Sequence, residues 1–125
     1  MARKKSPTLT EAELRLMNVI WAKGNASVGD VVEALSKRTP LAYSTVLTTL
    51  RILEDKGYLG HRKSGRAFIY YPLVDRAQAR SKALRFMISR FFNNSPELLV
   101  LNLLEEEKID PEELERLKKR IENSE

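Results

Sequence analysis

Apolar side chains recur at helical spacing three times along the first half of the chain. In TEAELRLMNVIWAKG the stripe is Leu14, Met17, Ile20 and Trp21, with Thr10 and Glu13 spaced as a capping box and Gly24 placed to end the helix. The next stripe, Val28, Val31, Val32 and Leu35, starts from Ser27 with Asp30 at the third helical position and ends before Pro40. These two helices are short and joined by KGNA. LAYSTVLTTLRILEDKGYL predicts a third, from about Tyr43 to Lys56, closed by Gly57.

Beyond it the period shortens to that of a strand. In YLGHRKSGRAFIYYPL, Phe68, Ile69, Tyr70 and Tyr71 make a strand, and KSGR makes a tight turn with Gly65 available for positive φ. A two-stranded hairpin follows, with Arg62, Lys63 and Arg66 at its tip and Pro72 at its outer end, where a missing N–H is tolerated. From Asp75 the helical period returns. Leu84, Met87, Ile88, Phe91 and Phe92 predict a long, one-sided helix. SPELLVLNLLEEEKI begins with Ser95 as N-cap and Pro96 behind it, and is apolar nearly all round, the pattern of a helix buried on most sides. DPEELERLKKRIENSE repeats the start and offers only Leu114, Leu117 and Ile121 to a partner. The chain therefore reads as mainly α with a small β-hairpin, residues 1–74 and 75–125 forming two domains with their boundary between Leu73 and Asp75.

Composition narrows the chemistry. A chain of 125 residues suffices for one ordinary domain, or a small one with a helical appendage. It contains no run of about 18 apolar residues, and the basic start MARKKSPTLT has no apolar region behind it, so a cytoplasmic protein without membrane contact of its own is expected. Cysteine is absent and His61 is the only histidine, which excludes disulfides, thiolate nucleophiles and multi-histidine metal sites. The carboxylate runs Glu105–Glu107 and Glu112–Glu115 read as helix-terminal or solvated charge, so neither catalysis nor a cofactor is expected. The net charge of +5 is uneven: residues 1–74 carry 12 Lys and Arg against 6 Asp and Glu, residues 75–125 carry 10 against 11. The first part is the one suited to a polyanion.

The third helix shows how a polyanion could be read. Projected around a helix, Val46, Leu50 and Leu53 fall together with Thr49 at their edge, while Ser44, Thr48 and Arg51 point the other way and Thr45 and Leu47 flank them. Short hydroxyls reach base edges and phosphates, a guanidinium can take guanine bidentately, and Leu47 could touch a thymine methyl. Alone, such a face could simply be solvated. Three short helices followed by a hairpin with a basic tip, however, is the order of a winged helix-turn-helix. In that arrangement Tyr43, Ser44, Thr45, Leu47, Thr48 and Arg51 face the major groove, and Arg62, Lys63 and Arg66 meet phosphates. Residues 75–125 are too few to bury ELLVLNLL alone, which favours pairing of two chains through Leu84, Ile88, Phe91, Leu98, Leu101, Leu104 and Leu117. A two-fold dimer would address half-sites about one DNA turn apart, roughly 34 Å.

LTEAELRLMNVIW, LAYSTVLTTLRILEDKGYL, GRAFIYYPLV and LLVLNLLEEE together resemble the BlaI/MecI family of penicillinase and methicillin-resistance repressors, within the wider bacterial group that includes copper-responsive CopY. The resemblance implies a homodimeric transcriptional repressor on operator DNA, with an N-terminal winged helix and a C-terminal helical dimerisation domain. It also implies antibiotic-resistance regulation, in which a membrane-bound sensor metalloprotease triggers cleavage at the bond corresponding to Asn102–Leu103. Two departures stand out. Ser44 and Leu47 occupy outward positions that are more basic in better-known members, and Leu103 follows the cleaved bond where an aromatic residue is expected. The paired cysteines of the copper-responsive branch are absent. Two other readings are a winged-helix module for protein interaction and a MarR-type repressor with a small-molecule pocket at the domain junction.

Overall fold

Local hydrogen bonds start the first two helices at the residues their sequences mark. In a computed structural model, which describes residues 7–106 and 109–124, Thr10 Oγ1 accepts from the Glu13 N–H at 3.2 Å while Glu13 Oε1 accepts from the Thr10 N–H at 2.9 Å, opening α1 (Glu11–Lys23). The same reciprocal box joins Ser27 and Asp30 at the start of α2 (Val28–Leu35), and hydrogen bonds from Ser27 hold the Asp30 carboxyl below its ordinary range. Gly24 closes α1 with φ 87°, as its position predicts. The third helix, α3 (Tyr43–Asp55), follows Ala42, which supplies no side-chain cap.

The KGNA link holds more than a turn. Ala26 and Ser27 form a short strand, β1, which pairs antiparallel with β3 (Ala67–Pro72), and β3 pairs with β2 (Leu59–Ser64), giving a three-stranded sheet in the order β1-β3-β2. The expected two-stranded hairpin is thus extended by one strand. Two residues are too few to show a period, which is why β1 is invisible in the pattern. The hairpin register runs from Leu59↔Pro72 to Ser64↔Ala67, leaving Gly65 and Arg66 as the turn, with Gly65 at φ 61°.

The core of this unit gathers Leu16, Met17 and Ile20 from α1, Val28, Val31 and Leu35 from α2, and Val46, Leu50 and Leu53 from α3, against Tyr58, Leu59 and Tyr70. Leu14 departs from the expected stripe: it is 41% exposed, and Leu16 and Glu13 are buried on α1 in its place. The core-facing side of α1 is rotated because Glu13 is drawn inward by a cation. Lys56 Nζ lies 2.7 Å from Glu13 Oε1 and 3.0 Å from the Thr8 carbonyl, with both side chains almost wholly buried. Beside it, the Tyr58 hydroxyl donates to the Pro7 carbonyl at 2.7 Å, and burial pushes its phenol up from the ordinary value.

The helix from Arg76 to Phe91, α4, does not begin a separate unit at Asp75. Ala79 is buried in the same core, Trp21 Nε1 donates to the Val74 carbonyl at 2.9 Å, and the Lys82 ammonium lies 4.9 Å from the centre of the Tyr58 ring. The chain divides into compact units at Leu84 and Arg85, so the first half of α4 belongs with the winged part. The sequence pattern misses this because Ala79 is small and the anchoring groups are polar.

The second unit contains α5 (Pro96–Glu106) and α6 (Pro111–Glu122), started by Ser95 and Asp110 as expected. Asn93 and Asn94, at φ 50° and 59°, turn the chain between α4 and α5 in a conformation that asparagine tolerates. Phe92 falls just beyond α4. No side chain of α5 is fully buried, contrary to the burial its apolar circumference predicts; Leu99 and Leu104 are half-buried and its other leucines exposed. Of the carboxylate runs, Glu107 lies outside the described residues.

Replacing Lys56 by Ala leaves the Glu13 carboxylate buried without its cation, and is expected to cost roughly 3–5 kcal/mol, whereas a Glu13→Gln/Lys56→Met double change costs less than either partner's loss alone. Urea unfolding followed through Trp21 emission measures both. Equal, small losses for all variants would show the pair to be dispensable.

Candidate nucleic-acid interface

The α3 face opposite the core is built by the helical period itself. Val46, Leu50 and Leu53 are fully buried, which turns Ser44, Thr45, Thr48 and Arg51 outward, all exposed, with Tyr43 at the first turn 59% exposed. Leu47 is the exception among the outward candidates. It is half-buried and packs against the core, so only its edge is available. Thr49 Oγ1 donates to the Thr45 carbonyl at 2.8 Å, satisfying itself within the helix and leaving the outer hydroxyls of Ser44 and Thr48 free to pair elsewhere.

The hairpin brings a second cationic group to this face. Tyr43, Leu47 and Arg51 of α3, Arg66, Ala67 and Phe68 of the hairpin, and the start of α2 line one groove of about 340 Å³. Arg51 and Arg66 therefore converge, and neither has an ion-pair partner among the described residues. Arg62 and Lys63 do not line that groove. They are neighbours in β2, so their side chains leave opposite faces of the hairpin, and both are exposed. Sequence reasoning missed Phe68, which is 43% exposed and lines the same groove as Arg66, although it shares a strand face with the buried Tyr70.

The hairpin is tied to α3 near its base. His61 is exposed, yet its Nδ1 lies 2.6 Å from Glu54 Oε2, and its ring meets Phe68 edge-on at 5.1 Å and Tyr70 at 5.6 Å. Sequence distance hid this pairing, since Glu54 stands on the last turn of α3 and His61 on a strand. Gly60, next to it, is favoured by space rather than by φ: a Cβ there would lie 2.8 Å from the outer end of the Tyr71 ring, which would have to shift. Among the described residues no cluster of His, Cys, Asp or Glu could hold a metal ion, and no helix is long and apolar enough to cross a membrane.

Of the residues expected to pair two chains, Leu84, Phe91, Leu98, Leu101 and Leu117 are exposed, Phe91 to 77%, while Ile88 and Leu104 are half-buried. Asn102 sits within α5, where its Nδ2 donates to the Leu98 carbonyl at 3.3 Å, and Leu103 beside it is 41% exposed.

Comparison with known proteins adds to this geometry. A sequence model of the family described as Penicillinase repressor matches residues 9–123. The penicillinase repressor of Bacillus licheniformis is 35% identical over 114 residues, covering 91% of this chain and 89% of that protein. The methicillin resistance regulatory protein MecI of Mammaliicoccus sciuri is 29% identical, covering 91% and 93%. The solution structure of monomeric Bacillus licheniformis BlaI in complex with the blaP half-operator matches with a TM-score of 0.51 and 38% identity, over 61% of this chain and 93% of that one.

Gly60→Ala should displace the Tyr71 ring and destabilise the winged unit by about 1–3 kcal/mol, the usual cost of overpacking. Thermal unfolding of the full chain measures it. A variant as stable as the parent would mean that the ring moves freely and the glycine is not needed.

Proposed function

The chain belongs to the penicillinase repressor family, and we propose that it is a bacterial, sequence-specific repressor that binds operator DNA as a homodimer and is released by proteolysis. The observation that carries the DNA reading is the convergence of Arg51 and Arg66 on one groove between α3 and the hairpin, in a relative of a repressor solved on its half-operator. On this reading the exposed face of Tyr43, Ser44, Thr45, Thr48 and Arg51, with the edge of Leu47, enters the major groove. Arg66 reaches the phosphate backbone from the wing, and Arg62 and Lys63 add charge from its two faces. Ser44 and Thr48 bring hydroxyls where a more basic helix would bring ammonium or guanidinium groups. More of the discrimination then falls on Arg51 and on close fit.

Homodimerisation is supported by the apolar surface of the second unit. Leu98, Val100, Leu101 and Leu103 stand exposed on one short helix, with Leu117 and Ile121 on the next. Exposed apolar side chains spread round a short helix in water favour association. The second unit, from Arg85 onward, then acts as the dimerisation part, joined to a DNA-binding part that takes in the first half of α4, and such a repressor acts in the cytoplasm. Release by a membrane-bound sensor metalloprotease follows from the family resemblance. A cut between Asn102 and Leu103 would divide α5 within this apolar face, and so remove the linkage between two half-site contacts.

Arg51→Ala or Thr48→Ala is expected to reduce the preference for operator over random duplex by about 1–3 kcal/mol, while Arg66→Ala or Lys63→Ala weakens both alike and lowers the salt slope by about one. Titrations of both duplexes at several salt concentrations separate these effects. Loss of operator preference from Arg66→Ala with none from Arg51→Ala would reverse the assignment.

Leu101→Asp should convert dimers to monomers in sedimentation, since a carboxylate would be buried unpaired, and a chain cut at Asn102–Leu103 should behave the same way. An unchanged dimer in both cases would place the interface elsewhere.

A further inference from the structure

A second groove, between α1 and the first half of α4, takes no part in the DNA reading. It lies wholly within the unit that ends at Leu84 and holds about 410 Å³, a size typical of small-molecule sites, which run from roughly 300 to 1,000 Å³. Its floor is apolar. Leu14 turns toward it, 41% exposed, beside Trp21, and Ala79 and Ala83, one turn apart on α4, leave the volume open because their side chains are small.

The rim is cationic. Arg76 Nη1 donates to Asn18 Oδ1 at 2.6 Å, and its guanidinium lies 4.9 Å from the centre of the Trp21 ring, so this side chain is held in place. Arg80, one turn further along α4, is exposed and makes no ion pair or hydrogen bond among the described residues. No carboxylate lines the groove. Trp21 is fixed from behind by its bond to the Val74 carbonyl, so the floor is formed before any ligand arrives.

We propose that this groove binds a small amphipathic monoanion, a carboxylate carried on a compact aromatic or short aliphatic body. The carboxylate pairs with Arg80, with Arg76 as the nearby fixed charge, and the body lies against Leu14 and Trp21. One free guanidinium over an apolar floor suits such a molecule better than a phosphate, which would leave that floor in water, or a neutral hydrophobe, which would gain nothing from Arg80. The proposal stands on the groove alone and does not depend on operator binding.

Trp21 is the only tryptophan, so its emission reports the groove directly in the full chain. Titration with 4-phenylbutyrate is expected to give a saturable change. 4-Phenylbutanol, which keeps the ring and lacks the charge, and Arg80→Gln titrated with the acid should each bind roughly tenfold more weakly, the loss of one charge-assisted hydrogen bond. Leu14→Asn should weaken the acid as well. Both substitutions lie on the surface, and thermal unfolding verifies that the variants fold. Equal binding of acid and alcohol, or an unchanged titration of Arg80→Gln, would overturn the proposal. So would a flat titration accompanied by a Leu14→Asn change in sedimentation, which would assign the groove to a second chain.

Discussion

The winged unit depends on one buried charge pair. Lys56 stands at the C-terminal end of α3 and Glu13 in the first turn of α1, and their 2.7 Å contact joins the end of one helix to the beginning of the other. Glu13 also closes the capping box with Thr10, and Lys56 also takes the Thr8 carbonyl, so each partner's hydrogen bonds are used on more than one side. Desolvating two such groups is costly, and a pair of apolar residues could fill the same space at less expense. The buried stripe of Val46, Leu50 and Leu53 sets which side of α3 faces outward, and the bonded pair ties the end of that helix to the start of α1.

The hairpin is positioned by a different device. Its register places Ser64 opposite Ala67, so the turn is Gly65-Arg66 and the guanidinium projects from the tip rather than from a strand face. At the base, His61 bonds to Glu54 while packing on Phe68 and Tyr70, and Tyr71 covers the backbone at Gly60. On the far side β1 adds a pair of residues to β3, and Trp21 holds the strand's exit at Val74. The wing is therefore restrained on both edges and at its end.

Helix starts and stops in this chain were legible because they are local: Thr10, Ser27, Ser95 and Asp110 act within a few residues of themselves. The buried side of α3 was legible for the same reason, since the period is a property of one segment. What the pattern hid are pairings across long stretches of sequence. The inward turn of Glu13, and the outward turn of Leu14 that accompanies it, follow from a lysine 43 residues away. The membership of α4 in the winged unit follows from Ala79 and from polar anchors on Trp21 and Tyr58, none of which alters hydrophobic periodicity. Within the candidate interface, Thr48 and Arg51 were placed by period, but the meeting of Arg51 with Arg66, and the exclusion of Arg62 and Lys63 from that groove, required the hairpin's register.

The two units carry complementary chemistry. On the proposed reading, a recognition face with one guanidinium and several hydroxyls leaves most of the counterion release to the wing, so discrimination by a single copy relies on fit. The second unit presents leucines that water disfavours on both α5 and α6, and a short charged helix such as α6 cannot cover them alone. Pairing two chains would answer both demands, because the free energy gained by burying that face holds a second recognition helix near the DNA once the first has bound. A weak reader can then be a specific one. On the proposed reading the same logic makes the apolar surface the vulnerable place: an event that separates the leucines of α5 would remove the second contact without touching a residue of the recognition helix.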